Sequence, residues 1–516
     1  MSRYLVTLSY DGTEYYGFQK QSAKRTIQGV IEETLSKILN ENIKISASGR
    51  TDAGVHANGQ TFHFETKKAM DLGKLRYSMN RLLPKDIHII NIDSVEETFH
   101  ARMSAVAKKY IYQINLGEQD PFLSRYAYHL GKELDQEAMQ KAANAWIGTH
   151  CFQNLTTKEI DDKSFIRTVY AIRFEKKGNL LRIVFIGNGF MRCMIRMMVG
   201  VFIAIGLHKE SIEFAQQMIS TESRQTTRYK APANGLFLER VYYPSSLTIN
   251  YHTHTKRCGH ALGEDEEYVL AAIQAGIRVL GISDHIFYPN LRRDSFYNVR
   301  GDYSEMEDYC NSFLTLKEKY QSQIELHLGF EAEYFPDYHD YYQELLQSKK
   351  VEYLILGQHF FRDQGWTETL LKHEHDVYGI KRYAKTLITG MKTGFYSYVA
   401  HPDLFLAGYA SFDDYAREVS YEICSVAKEL NLPLEINLAG IRKGFHTYGN
   451  GERRLLYPHR EFWKIAAELG CKVVIGIDAH QPSNFSQKEL FLALELIEDL
   501  KLQVVDFSSF SFKKLD

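Results

Sequence analysis

Hydrophobic and polar residues follow two different rhythms along this chain, and the change between them falls near residue 244. In the first half, Ile27, Val30, Ile31, Leu35, Ile38 and Leu39 recur at spacings of three and four, which places them on one helical face. Thr26 stands where a hydroxyl can cap that helix. Gln60–Glu65 alternates around Phe62 and Phe64, and Tyr110, Tyr112 and Ile114 share one side of an extended stretch, so both segments predict strands. Strands mixed with long amphipathic helices predict an α+β domain. The segment Val241–Leu247, VYYPSSL, is Pro-Ser-Ser punctuation, and the boundary is expected there, dividing the chain into 1–244 and 248–516 with a short linker.

Beyond Ile249 a single unit repeats: a short apolar strand, a polar tip, then a helical stretch. The strands read TINYHTH, IRVLGISDH, IELHLGFEAE, VEYLILGQH, YSYVAHPD, LPLEIN and KVVIGIDAH. Seven strands alternating with helices predict a parallel α/β sheet closed into a barrel, and the C-terminal strand ends of such barrels carry their active sites. Here those ends hold His, Asp or Glu almost every time.

Composition sharpens the division. The chain has 516 residues with 44% hydrophobic and 24% charged, an ordinary globular composition that needs at least two cores. Its net charge of −2 hides an asymmetry: residues 1–244 carry 33 Lys and Arg against 25 Asp and Glu, and the remainder 29 against 39. A basic half suits a polyanion and an acidic half suits hard cations. Of the 20 histidines, 13 lie in the second half. No apolar run is long enough to predict a membrane span, and the N-terminus lacks the apolar core of a secretion signal. Six scattered cysteines without a CxxC spacing fit a reducing, cytoplasmic setting.

If the barrel strands ring one opening, their ends meet. His252 and His254 sit two apart and share a strand face, as do Asp478 and His480. His260 lies on the loop after the first strand, and His285, Glu331, His359 and His401 close later ones. A lone buried histidine is usually a core residue, but seven imidazoles and two carboxylates at one mouth require cations to neutralise and coordinate them. Mixed imidazole and carboxylate sets suit Zn, Mn or Fe. In order, HTH, CGHA, SDH, GFE, GQH, HPD and DAH resemble the polymerase-and-histidinol-phosphatase (PHP) family over residues 249–484. That resemblance implies a distorted (β/α)7 barrel with three divalent metals. One would be held by His252, His254, Glu331 and Asp478, and a second by His260, His285 and His480. Glu331 would bridge to a third, held by His359 and His401. Asp284 would orient an imidazole. Arg442, in LEINLAGIRKG, matches a phosphate-contacting arginine of the histidinol-phosphate branch, and a guanidinium suits phosphate bidentately. The implied activity is hydrolysis of a phosphomonoester, L-histidinol phosphate in the first instance, with a nucleotide or another small phosphate ester as the alternative.

In the first half the densest signal is SGRTDAGVHA, residues 48–57, where glycines flank Arg50, Thr51 and Asp52 and permit a tight loop. By itself an Asp beside Gly is a turn former. With SYDGTEYYGFQKQ, TIQGVIEETL, FHARMSAVAKKYIYQI, GFMRCMIRMMVG and KAPANGLFLERVYY, however, it resembles the tRNA pseudouridine synthase A family across residues 1–243. The resemblance implies the pseudouridine synthase fold, with Asp52 as the catalytic carboxylate and Tyr110 stacking on the target uracil. Arg196 would pair with Asp52, and Arg50 would help turn the base out. Arg102, Lys108 and Lys109 are candidate phosphate contacts. The implied substrate is the anticodon stem-loop of tRNA at positions 38–40, and the implied assembly is a homodimer. No cofactor is expected in this half. The joint expectation is a bifunctional isomerase and hydrolase, against the alternative that one half is a non-catalytic binding module.

Overall fold

In the computed structural model the chain forms two compact units, Met1–Pro244 and Ser245–Asp516. The structure describes all residues except 1, 69, 158–164, 222–223, 290–299, 349, 363–365, 370–375 and 506–516, and only the backbone at 361–362 and 366–369. Among the described residues no helix is long and apolar enough to cross a membrane.

The first unit is built on one mixed sheet. Its strands run, in spatial order, Ile87–Val95, Ser2–Tyr10, His56–Thr66, Leu236–Tyr242, Ala107–Asn115, Leu180–Gly187, Ile166–Lys177 and Gly148–Cys151. The last strand of the unit therefore lies in the middle. It pairs parallel with His56–Thr66 and antiparallel with Ala107–Asn115, and so draws together segments far apart in sequence. Helices Ile27–Leu39, Leu72–Leu82, Gln136–Asn144 and Met194–Gly206 contribute apolar residues to the core of this unit. The first of them starts where the periodicity predicts, with the Thr26 hydroxyl accepting from Gly29 N at 3.3 Å. Met194–Gly206 is buried nearly all round, as a helix apolar on every side should be, and Arg196 is its one charged residue.

The alternation at Gln60–Glu65 does make a strand, but without a solvent face. Thr61 and His63 are buried along with Phe62 and Phe64. Tyr243 closes over Thr61 through a 2.6 Å hydroxyl contact, and Ala101 N donates to His63 Nδ1 at 3.1 Å. Polar residues on the second face are thus satisfied by a covering loop rather than by water.

In the second unit eight parallel strands follow in sequence order: Ile249–Asn250, Val279–His285, Glu325–Ala332, Tyr353–Leu356, Tyr396–Val399, Leu434–Asn437, Lys472–Gly476 and Gln503–Val504. Seven are those predicted. The eighth is two residues long with an exposed surface, too short to show a pattern. A parallel bridge between Thr253 and Ala479, reinforced by His254 N donating to Ala479 O at 2.8 Å, joins the first strand's end to the seventh's and closes the barrel. Tyr251, Tyr353, Ile355, Tyr398, Ala400 and Val474 form a separate apolar cluster, while alternate residues such as Leu354 and Leu356 join the larger core shared with the helices. Strands buried on both faces are what a helix-wrapped parallel sheet requires.

Candidate functional sites

In the first unit the loop carrying Arg50, Thr51 and Asp52 precedes strand His56–Thr66 and is held from several directions. Lys108 Nζ donates to Ser48 O at 2.7 Å, Gln60 Nε2 to Gly49 O at 3.1 Å, and Phe18 N to Thr51 O at 3.1 Å. The buried Tyr10 hydroxyl meets Thr51 Oγ1 at 2.8 Å, and burial pushes that phenol up to about 12. Gly54 takes a φ of +76°, which a side chain would strain, and a Cβ on Gly12 would stand 2.0 Å from Val55 O. The loop is therefore pinned while Asp52 stays part-exposed.

Arg196 Nη1 donates to Asp52 Oδ2 at 3.1 Å, and its Nε is fixed on Ala231 O at 2.9 Å. A Cβ at Gly200, one turn on, would lie 2.7 Å from Lys230 N, so only glycine lets that segment pass close enough to hold the guanidinium. Tyr110 lies in strand Ala107–Asn115 on the same face as Lys108, packed edge-on to Phe190 at 5.4 Å. Burial holds its hydroxyl well above the usual range, with Tyr10 and Asp52 adding to the effect. Asp52, Arg196 and Tyr110 thus share one neighbourhood. Arg50 and Arg102 are exposed. Lys108 is spent on the loop, and its amine is pushed down to about 8 by burial and by Arg102 and Arg167. Lys109, expected as a phosphate contact, is buried at 7% exposure in the centre of the sheet. Arg192 and Cys193 precede the first turn of the Arg196 helix.

At the mouth of the barrel all nine expected residues converge. Glu331 Oε1 lies 2.7 Å from His401 Nε2 and 3.4 Å from His359 Nε2, while Oε2 lies 3.5, 3.4 and 3.2 Å from nitrogens of His252, His254 and His285. Asp478 Oδ1 is 3.6 Å from His252, 3.3 Å from His254 and 3.2 Å from His480. His260 Nε2 meets His480 Nε2 at 2.8 Å, and His359 Nε2 meets His401 Nε2 at 3.2 Å. Nitrogens gathered around one tetrahedral ion at 2.0–2.1 Å stand about 3.3 Å apart, the scale seen here. Buried His254 Nδ1, His285 Nδ1, His401 Nδ1 and Asp478 Oδ1 lack hydrogen-bond partners. His401 and Asp478 also hold left-handed backbone, φ +29° and +50°, a conformation that costs of order 1–3 kcal/mol for such residues and collects at functional sites. The donor set fits divalent cations.

Electrostatics agree. Burial alone would raise Glu331 and Asp478, but the imidazoles facing them hold both carboxyls well below their usual range. Burial and neighbouring imidazoles press His260 down to about 3 and push His285 and His480 down as well, keeping them in the neutral, ligating form. Burial also opposes a proton on His254, yet Asp284, Asp478 and Glu331 lift it to about 9, a proton that a cation displaces on binding.

Several residues behind the candidate ligands were not expected. Glu435, fully buried, takes His252 Nδ1 at 2.8 Å and accepts from His401 N at 3.1 Å. Glu333 takes His359 Nδ1 at 3.2 Å and a two-pronged contact from buried Arg300 at 3.0 and 3.1 Å. Both carboxylates fix imidazole orientation. Asp284 faces His254 Nδ1 at 3.6 Å, near enough for charge but not for a hydrogen bond. Cys258 lies within 4.8 Å of ligand atoms on His260 and His480. Arg442 Nη2 donates to Ile477 O and Asp478 O at 2.7 Å each, leaving buried Nη1 without a partner.

Two glycines make room for the buried carboxylates: a Cβ would stand 2.0 Å from Glu331 Oε1 at Gly357 and 1.7 Å from Glu435 Oε1 at Gly476. Gly476→Ala must displace Glu435 and with it the hold on His252. Loss of about 1–3 kcal/mol of stability and about 10- to 100-fold weaker metal binding are expected, measured by thermal melting and metal titration. A variant indistinguishable from the parent in both would show that Glu435 orients nothing.

A sequence model of tRNA pseudouridine synthase matches residues 7–103 and 142–244. The tRNA pseudouridine synthase A of Geobacillus sp. is 40% identical over 243 residues, which cover 47% of this chain and 98% of that protein. The chain belongs to the tRNA pseudouridine synthase family. A second such relative, tRNA pseudouridine synthase A 2 of Clostridium perfringens, is 38% identical over 239 residues, 46% of this chain and 98% of that protein. Beyond the synthase unit, the model of the PHP domain matches residues 250–439. Among solved structures, a Listeria monocytogenes histidinol phosphatase is 22% identical with a TM-score of 0.38, covering 46% of this chain and 96% of that one. A Lactococcus lactis histidinol phosphate phosphatase, complexed with zinc, L-histidinol and phosphate, is 16% identical with a TM-score of 0.38, covering 51% and 96%. The chain is thus a synthase-family enzyme continued by a PHP domain.

Proposed function

We propose that the first unit converts uridine to pseudouridine at positions 38–40 of the tRNA anticodon stem-loop, and that the PHP domain hydrolyses a phosphomonoester, L-histidinol phosphate, at a three-metal centre. The reading includes a cytoplasmic homodimer assembled through the synthase unit. For the synthase, the carrying observation is the part-exposed Asp52 carboxylate held by Arg196 beside Tyr110. A carboxylate in that position acts on the uridine as nucleophile or base. The Tyr110 ring offers an unstacked base a platform, and its hydroxyl stays protonated throughout. Exposed Arg50 and Arg102 provide the cationic approach for the RNA backbone, while Lys108 steadies the loop that carries Asp52.

For the PHP domain, the carrying observation is Glu331, whose two oxygens face two separate groups of imidazoles. One ion would take His252, His254, Glu331 and Asp478, a second His260, His285 and His480, and a third Glu331, His359 and His401. Zn, Mn or Fe suits these donors. Divalent ions held there would supply a water of lowered pKa and neutralise phosphoryl oxygens. Arg442 contributes the free Nη1 to a phosphate oxygen while its other nitrogen stays anchored on the strand end. Glu435 and Glu333 keep His252 and His359 turned toward the ions. Histidinol phosphate is the choice favoured by the sequence resemblance around Arg442.

One preparation of the full chain tests both activities. Incubation with a chelator is expected to stop phosphate release from histidinol phosphate and leave pseudouridine formation on a tRNA transcript unchanged. Phosphate release indifferent to chelation would refute the metal centre, and a parent enzyme without pseudouridine product would refute the synthase assignment.

A further inference from the structure

The sulfur of Cys193 lies 3.3 Å from Asp52 Oδ2, the same oxygen that receives Arg196 Nη1 at 3.1 Å. Oδ1 accepts no hydrogen bond from any described residue. Resting on the reading of Asp52 as the reacting carboxylate, we propose that Cys193 is a positioning residue. Its thiol and the Arg196 guanidinium together clamp Oδ2, so that Oδ1 is the oxygen left to act on the uridine.

Four features support this. Cys193 stands immediately before the first residue of the helix that carries Arg196, so both side chains reach Asp52 from one helix end. Cys193 holds left-handed backbone at φ +61°, uncommon for a residue with a side chain, and does not cap its own helix with the sulfur. That conformation goes with a side chain turned to Asp52 instead of to the helix amides. Burial, with Asp52 close by, raises the thiol above its ordinary range, so the sulfur carries the proton it needs as a donor. Finally, Arg196 is itself fixed through Nε on Ala231, so the clamp has one rigid arm and one short arm. A carboxylate held through one oxygen by two donors cannot spin about its Cβ–Cγ bond. Attack or proton removal by a single oriented oxygen needs that restriction whichever role Asp52 plays.

The test compares Cys193→Ala and Cys193→Ser with the parent and with Asp52→Ala, measuring kcat and KM on a tRNA transcript. Cys193→Ala is expected to lower kcat about tenfold, the scale of one hydrogen bond to a charged group, with KM for tRNA unchanged. Cys193→Ser, which restores a donor, is expected to recover most of that loss. On the folded parent, methyl methanethiosulfonate caps the thiol and is expected to reproduce the fall in kcat, reversibly with dithiothreitol, and to leave Cys193→Ser unaffected. This second arm reads the same effect should the alanine variant fold poorly. Parent-like kcat in both Cys193→Ala and the capped enzyme, with Asp52→Ala inactive, overturns the role of Cys193 alone. Activity retained in Asp52→Ala overturns the synthase reading and this inference together.

Discussion

Asp52→Ala should lose pseudouridine formation by about 10⁴-fold or more, the scale of removing a group that reacts directly with substrate, while tRNA binding stays within about threefold of the parent. The two halves of this expectation come from different residues. Asp52 contributes one carboxylate to the site, part-exposed and tied to Arg196, and nothing else in its loop offers a nucleophile or base of the same strength. RNA affinity instead comes from cations that contact phosphates, and Arg50 and Arg102 are exposed and independent of Asp52. The loop itself is held by Lys108, Gln60, Phe18 and Tyr10, none of which bonds the Asp52 carboxylate, so the variant should keep its fold. Tritium release from uridine-labelled tRNA and filter binding on the same preparation decide the matter. A variant that turns over within tenfold of the parent would remove Asp52 from the chemistry, and one that no longer binds tRNA would move it to recognition.

How far the sequence anticipates the structure depends on the distance over which each feature is determined. The helix at Ile27–Leu39 is a local matter of spacing and one capping hydroxyl, and it forms as read. The barrel strands are legible because each is a short apolar run, and the candidate ligands because they cluster at the strand ends, where such barrels place their sites. His252 with His254, and Asp478 with His480, do meet as read, although all four lie just past the strands Ile249–Asn250 and Lys472–Gly476 and Asp478 takes a left-handed backbone. Glu435 and Glu333 were within reach by the same rule. Glu333 is two residues beyond Glu331, and Glu435 lies two residues before the end of strand Leu434–Asn437, but neither has a signature beyond its charge. Arg300 was out of reach, since its role depends on meeting Glu333 across the fold. Lys109, a lysine next to a recognised motif, reads as a surface charge, whereas it is buried in a strand flanked on both sides by Leu236–Tyr242 and Leu180–Gly187. Cys193 carries no signature in the sequence, since its position just before the helix, with a left-handed backbone, is what aims it at Asp52.

Glu331→Gln is the corresponding substitution for the PHP domain, and it isolates charge from shape. The amide fits the slot that Gly357 leaves open, so packing should survive and the melting temperature should stay close to that of the parent. What changes is the pairing. In the parent, Oε1 faces His359 and His401 while Oε2 faces His252, His254 and His285, so one residue supplies an anionic oxygen to each side. In the variant one of those oxygens becomes an NH₂ that donates, and it points at nitrogens that must themselves donate electron pairs to a cation. Asp478 remains on one side only. The expected result is loss of at least one equivalent of bound metal by elemental analysis and a fall in phosphate release of about 10³-fold or more, a transition-state cost of roughly 4 kcal/mol. Pseudouridine formation by the same protein should be unchanged, since Asp52 and Arg196 belong to the other unit. Full metal content together with parent-like phosphate release would show that the carboxylate bridges nothing, and the three-metal arrangement would fall with it.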